Sequence, residues 1–263
     1  MPPQAPGAVG RQAFSSLDDV VSRMHAILEP LPRSDGVACF TRLYLEVTKA
    51  VQAELAGAAF ADPHFLQRLD VVFADLFFDA LDAHEGSLRD VPPAWVPLFE
   101  ARSKRGIAPL QFALAGMNAH INRDLPVALV TAWIEAGIDP SLGSSQHAAF
   151  ERVNEVLARV EQRVKGEYLT GWLNTLDRRL HRFHRIDDVL AMWDIRRARA
   201  TAWVNGGALW AMRSDAKLEA EYLGALDRMV AFSSRGLLIP ADTTLKKVRR
   251  GFRRLQRDPL WWV

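Results

Sequence analysis

A chain of 263 residues with 49% hydrophobic and 24% charged residues has the apolar mass for a large core and the polar surface of a globular protein. Mean hydropathy is −0.05 and no apolar run reaches the roughly 18 residues of a spanning helix, so collagen-like, low-complexity and membrane-spanning classes are excluded. Formal net charge is +2, but residues 1–150 hold 11 basic and 17 acidic residues while residues 151–263 hold 22 and 14. That asymmetry reads either as two halves attracting within one compact domain or as a basic surface for an anionic partner.

Cys39 stands alone, so no internal disulfide is required, and the expected compartment is the cytoplasm. Residues 1–15, with prolines and glycines and no apolar segment of the secretory kind, read as a disordered tail ahead of a single helical domain over 16–263. Apolar residues recur at spacings of three and four, the helical period. The first predicted helix runs from Leu17 to Leu28, capped by Ser15 or Ser16 with Asp18 and Asp19 in its first turn. A second covers Val37 to Leu55. Asp62-Pro63 opens a third, to about Ala83, with the proline in the first turn where its missing N–H costs nothing.

Val91-Pro92-Pro93 precedes a short helix from Trp95 to Arg102. Pro109 starts another through Asn122, and Asp124-Leu125-Pro126 reads as the cap and first turn of a separate helix ending at Gly137. Ser144 or Ser145 caps a long helix to His184; others follow from Ile186 to Met212, Lys217 to Phe232 and Thr243 to Gln256. No stretch alternates with period two, and no phosphate loop, paired-cysteine zinc pattern or nucleophile elbow is present. The expected fold is all-α, a bundle of about ten helices.

The segment from Leu110 to Leu125 (LQFALAGMNAHINRDL) is the most distinctive in the chain. With Gly36 to Thr48 and Leu69 to Ala74, it resembles the uncharacterised bacterial family called domain of unknown function 5995, over most of residues 17–240. That resemblance implies no activity, so chemistry has to be read from the residues.

At about 100° per residue, Phe65, Leu69, Val72, Phe73, Leu76, Phe77 and Ala80 form one side of the third helix. Asp75, Asp79 and Asp82 fall opposite, near Arg68, as a solvated face with a local ion pair. Asp70 falls at the edge of the apolar arc, with His84 on the same side, and a carboxylate there needs a donor, a cation or a metal. On the next signature helix, His120 lies inside the apolar stripe; Gly116 one turn earlier leaves room beside it, and Asp124 follows it one turn later. His-x3-Asp on one face suits zinc or a similar divalent ion, although a core histidine, a buried His120–Asp pair or a helix-capping Asp124 fits the same spacing. Gln111, Asn118 and Asn122 form an amide stripe able to bind a polar ligand or bridge helices, and Arg123 or Arg42 could hold an anionic group.

In order, His25, Asp70, His84, His120-x3-Asp124 and His147-x3-Glu151 are similar to the ligands of zinc-dependent phospholipase C and related nucleases. That resemblance implies a metal site of Asp70, His84, His120 and Asp124. It departs at Val130, where the family has histidine, and at the N-terminus, where the family has a ligating tryptophan. The function this reading supports is a metal-dependent hydrolase of an ester or phosphoester, with Asp70, His120 and Asp124 catalytic, and Asn118, Asn122 and Arg123 holding the ligand. The alternatives are a non-catalytic helical binding protein and, from Asp75-x3-Asp79, a diphosphate lyase or cyclase of the terpene-synthase type.

Two basic clusters complete the reading. Arg178 to Arg185 lies near the end of the long helix, and Lys246 to Arg257 forms a final basic helix followed by Trp261-Trp262. The final helix suits an anionic membrane surface or nucleic acid, or packing against the acidic half of the chain, and the Arg178 to Arg185 cluster sits where cations complement the helix dipole.

Overall fold

The computed structural model describes residues 14–57, 60–173 and 194–240, with side chains given except over 161–173. All regular structure among the described residues is helical, and no helix there is long and apolar enough to cross a membrane. The basic clusters at Arg178–Arg185 and Lys246–Arg257, and the helix expected from Thr243, lie outside the described residues.

The helix starts follow from their caps. Helix α1 (Leu17–Leu28) opens with a capping box in which the Ser16 hydroxyl accepts from the Asp19 N–H and the Asp19 carboxylate accepts from the Ser16 N–H. Helix α2 (Gly36–Ala56) is capped by Asp35, which accepts from the N–H groups of Val37 and Ala38 while its other oxygen takes the Arg102 guanidinium at 2.8 Å. Helix α3 (Pro63–Gly86) is capped by Asp62 and runs three residues further than its periodicity predicts, taking His84 into its last turn. Helix α4 (Val96–Ala101) is short.

The signature segment departs from expectation. Helix α5 (Pro109–Ala119) does not stop before α6 (Leu125–Ala136); a π-helical turn, His120–Asp124, joins them into one continuous rod. Within it the Leu125 N–H reaches back five residues to His120 O. Pro126 explains the widening: it has no N–H for the Asn122 carbonyl, and its ring would crowd that carbonyl in a regular α-turn. Asp124 keeps helical backbone angles and caps nothing, which overturns its reading as an N-cap. The rod ends at Gly137, whose φ of 65° is left-handed and suits glycine.

Helix α7 (Ser145–Leu173) follows, then α8 (Ile195–Met212), started by Asp194, and α9 (Ala216–Leu237), started by Asp215 and one turn longer than expected.

The α5–α6 rod runs through the middle. Helix α2 packs on its first half, α3 and α8 on its second, and α9 returns along α5. The core between α2, α3, α4 and the rod is aromatic: Phe40, Phe77, Phe78 and Trp95 are fully enclosed. A second aromatic group gathers where α6, α7 and α8 meet, with Trp203 edge-on to Trp133 at 5.0 Å and close to Phe150. The amides of the rod fasten α9. Gln111 donates to the carbonyls of Leu237 and Ile239, Asn118 donates to Val230 O and Ser234 Oγ, and Asn122 donates to Asn118 Oδ1.

Gly116 is fixed by close approach. A Cβ there would stand 2.7 Å from Phe40 Cβ and nearer still to its ring, so the space left by this glycine is filled by Phe40 and does not open beside His120. Gly116→Ala is therefore expected to cost about 1–3 kcal/mol by overpacking, read from urea denaturation. The loss should shrink when Phe40→Leu is added, because the two changes share one contact.

Candidate functional site

The π turn puts His120 and Asp124 at the centre of the molecule, 1% and 0% exposed. A carboxylate there survives only if its oxygens are satisfied. Asp124 Oδ2 accepts from Trp95 Nε1 at 2.9 Å and meets His120 Nδ1 at 3.0 Å; Oδ1 accepts from Arg123 Nη1 at 3.0 Å. Indole and guanidinium can only donate, so the carboxylate needs no proton of its own, and the network assigns the hydrogen of the His120 contact to Nδ1. Burial holds the imidazole below the usual histidine range, against the opposing pull of Asp124. His120 is therefore neutral, with its lone pair on Nε2. That atom is buried and has no hydrogen-bond partner among the described residues.

Aromatic rings enclose it. Phe73 lies face-to-face on the imidazole, with centroids 3.5 Å apart and planes within 7°. Tyr44 meets it edge-on at 4.5 Å, and Phe40 and Trp95 stand at 5.7 and 5.9 Å. Arg123 also reaches Asp227 of α9 at 3.4 Å, and Asp227 accepts from the Ala94 N–H at 3.2 Å. Burial raises the Asp227 carboxyl, and Arg123 works against that rise.

Asp70 stands one helical turn before Phe73 on α3, so it neighbours the ring that covers His120. It forms no hydrogen bond or ion pair with any described residue. Burial pushes its carboxyl up to about 7, with Arg199 of α8 pulling the other way. Desolvation likewise raises the Tyr44 phenol, helped by the charges of Asp70 and Asp124. Asp70 thus acts on both Tyr44 and Arg199, while Asp124 acts on Tyr44 and His120.

The four-residue metal set does not assemble. Fourteen residues of α3 separate Asp70 from His84, about 21 Å of helix at 1.5 Å per residue, so the two cannot ligate one ion. His84 instead stacks on Phe99 at 4.7 Å, near Arg102. Both oxygens of Asp124 already accept hydrogen bonds, one from a cation. Among the described residues no group of three His, Cys, Asp or Glu side chains is placed to hold a metal ion.

Other expected site residues are engaged locally. Asn118 and Asn122 serve the α9 contact, Arg123 joins Asp124 to Asp227, and Arg42 donates to Arg33 O. His25 is exposed, while His147 accepts from the Gly143 N–H and packs edge-on to Trp203; Glu151 accepts from Asn154. Arg68 pairs with Glu135 of α6 at 2.5 Å while the Asp75 charge on its own helix also acts on it, and Asp82 pairs with Arg23 of α1 at 2.6 Å.

Trp95, Tyr44, Phe73 and Arg199 were not legible as site residues. Arg199 had a readable signal, because Ile195, Arg199, Ala202, Gly206 and Leu209 form a three-and-four stripe with a cation in its apolar side. Trp95 had none, since its indole N–H serves a carboxylate 29 residues away.

The Asp70 carboxyl gives a pH signature. Its ordinary value is 3.8 and its folded value about 7, so between these the folded protein keeps a proton that the unfolded chain releases. Stability then falls as pH rises through that window. Asp70→Asn is expected to gain stability relative to the unmodified protein from about pH 4 to pH 7 and to hold that gain above it. Urea midpoints at pH 4, 6 and 8 check this, and a pH-independent difference would mean a solvated Asp70.

Neither the curated proteins nor the solved structures compared include a match to this chain. A family model described as a family of unknown function (DUF5995) matches residues 17–240, the span from the first residue of α1 to just past α9, and the chain belongs to that family.

Proposed function

We propose that the chain is a hydrolase of small-molecule esters or phosphoesters that works by acid–base chemistry at His120. The observation that carries this reading is the unpartnered Nε2 of a buried, neutral imidazole whose other nitrogen is held by the Asp124 carboxylate. A histidine oriented in this way is a general base: Nε2 takes a proton and the carboxylate behind it steadies the imidazolium that forms. In the proposed step Nε2 removes a proton from water, and the oxygen attacks the carbonyl carbon or phosphorus. The ester bond breaks, and the leaving oxygen takes the Asp70 proton. Return of the proton from His120 to Asp70 closes the cycle, so the net reaction is ester plus water to acid plus alcohol. The rings of Tyr44, Phe73 and Trp95 suit a substrate with an apolar body.

A second reading rests on the same histidine. Metal-ligating imidazoles are held from behind by a carboxylate in this manner, and Asp70 would be the nearby second ligand. Elemental analysis of protein purified without chelators separates the two, because a stoichiometric divalent ion makes Nε2 a ligand and not a base.

The test is a panel of p-nitrophenyl carboxylate and phosphate esters, followed with the metal-free protein and with His120→Gln. The expected result is turnover by the unmodified chain and a loss of about 10²–10⁴ in kcat in the variant, with its folding intact by circular dichroism. Absence of turnover across the panel, with His120→Gln losing only about 1–3 kcal/mol of stability, would make the residue a core hydrogen-bonding group and overturn the catalytic reading.

A further inference from the structure

Helix α9 carries apolar residues on two sides. Leu226, Val230 and Ala231 are buried with Ser234 on the side turned to the rod, where Asn118 holds Val230 O and Ser234 Oγ. The opposite side has no such cover. With Leu218 at zero and about 100° per residue, Tyr222, Ala225, Met229, Phe232 and Gly236 all fall within about 40° of it. Phe232 is 80% exposed, Met229 55% and Leu218 47%. Ala225 and Gly236 are exposed too, and Tyr222 is half-buried, its hydroxyl donating to Asn205 of α8. The row steps by four and three in strict alternation, which is the heptad seam of paired helices and not the scatter of single apolar residues normal on a surface.

The row complements itself. Laid antiparallel on a copy of itself about a two-fold axis, Ala225 faces the partner's Met229, Tyr222 faces the partner's Phe232 and Leu218 faces the partner's Gly236. Large side chains meet small ones on either side of an aromatic pair. A Cβ at Gly236 would meet nothing within 4 Å in its own chain, so its absence leaves room for the partner's Leu218. One flank of the row carries Glu221 and, two heptads on, Arg235. The same axis brings Glu221 beside the partner's Arg235, and does so twice. Glu221 otherwise has a loose contact with Lys217 of its own helix, at 3.9 Å between exposed side chains. Arg228, the flank residue nearest the axis, has its guanidinium turned back beside Gly224, away from the row.

We propose that the outer face of α9 is the contact surface of a homodimer, in which two copies of the chain pair these helices antiparallel about a two-fold axis. A two-fold contact is closed, so it yields a dimer and not a filament. The inference is independent of the chemistry at His120. A row about 27 Å long makes a small interface, so association is expected at micromolar protein.

Sedimentation equilibrium of the full chain, from about 1 to 100 μM, tests this. The mass is expected to rise with concentration from the 29.4 kDa of one chain toward twice that value. Phe232→Glu, at a solvent-facing position, should keep its circular dichroism and weaken association at least ~tenfold. Glu221→Arg and Arg235→Glu should each weaken it by placing like charges together, and the double variant, which restores the pair with its signs exchanged, should recover it. A single-chain mass at every concentration overturns the proposal; if Phe232→Glu then also lowers Tm, the row is covered by another segment of the same chain. Dimerisation unaffected by Phe232→Glu, or a double variant no better than its two parents, overturns the antiparallel pairing as well.

Discussion

The structure depends on keeping the Asp124 charge satisfied at its centre. A carboxylate with no solvent contact needs donors on both oxygens: His120 and Arg123 come from its own π turn, and Trp95 comes from the start of α4. Arg123 in turn reaches Asp227, so α9 is drawn to the same point where the amides of Asn118 already bind it. Removing one donor would leave a charge buried without compensation, a larger loss than any single apolar contact provides. The position of α4, the path of the rod and the docking of α9 are therefore coupled through one side chain.

The π turn is the backbone counterpart of that constraint. Pro126 prevents a regular α-turn, yet the sequence on both sides is strongly helical, so the chain widens by one residue and continues. The widened turn carries both His120 and Asp124. It leaves the imidazole with Nδ1 tied to the carboxylate and Nε2 buried without a hydrogen-bond partner among the described residues. Local backbone irregularity and a histidine tied to its carboxylate thus coincide at one place in the rod.

Charge is arranged in two ways across the interior. Around Asp124 opposite charges are in contact and hydrogen-bonded. Between Asp70 and Arg199 they are within reach of each other's field but apart. The first arrangement ties α4, the rod and α9 together through one carboxylate. The surface differs again: Arg23–Asp82 and Arg68–Glu135 link helices through partly solvated pairs, each contributing at most about 1 kcal/mol.

Helical period and caps determined most of the elements by themselves, because these are local properties; the cap and breaker read at Asp124 to Pro126 instead became a π turn within one rod. Ser16, Asp35, Asp62, Asp194 and Asp215 each satisfy the first N–H groups of a helix within a few residues of themselves, and the apolar stripes mark the buried sides of α1 and α3. The wheel also singled out His120 correctly as interior and its contact with Asp124 as available, since four residues on one helix are neighbours whatever surrounds them. What the wheel could not decide was which groups meet across helices. Asp70 and His84 share a side of α3 in projection but stand about 21 Å apart along its axis, a dimension that projection discards. Gly116 opens space that only the packing of α2 assigns to Phe40, and Trp95, Tyr44 and Arg199 reach the site from segments far away in the chain. Burial, and with it the raised carboxyl of Asp70 and the unsatisfied Nε2 of His120, exists only once those helices close around the rod.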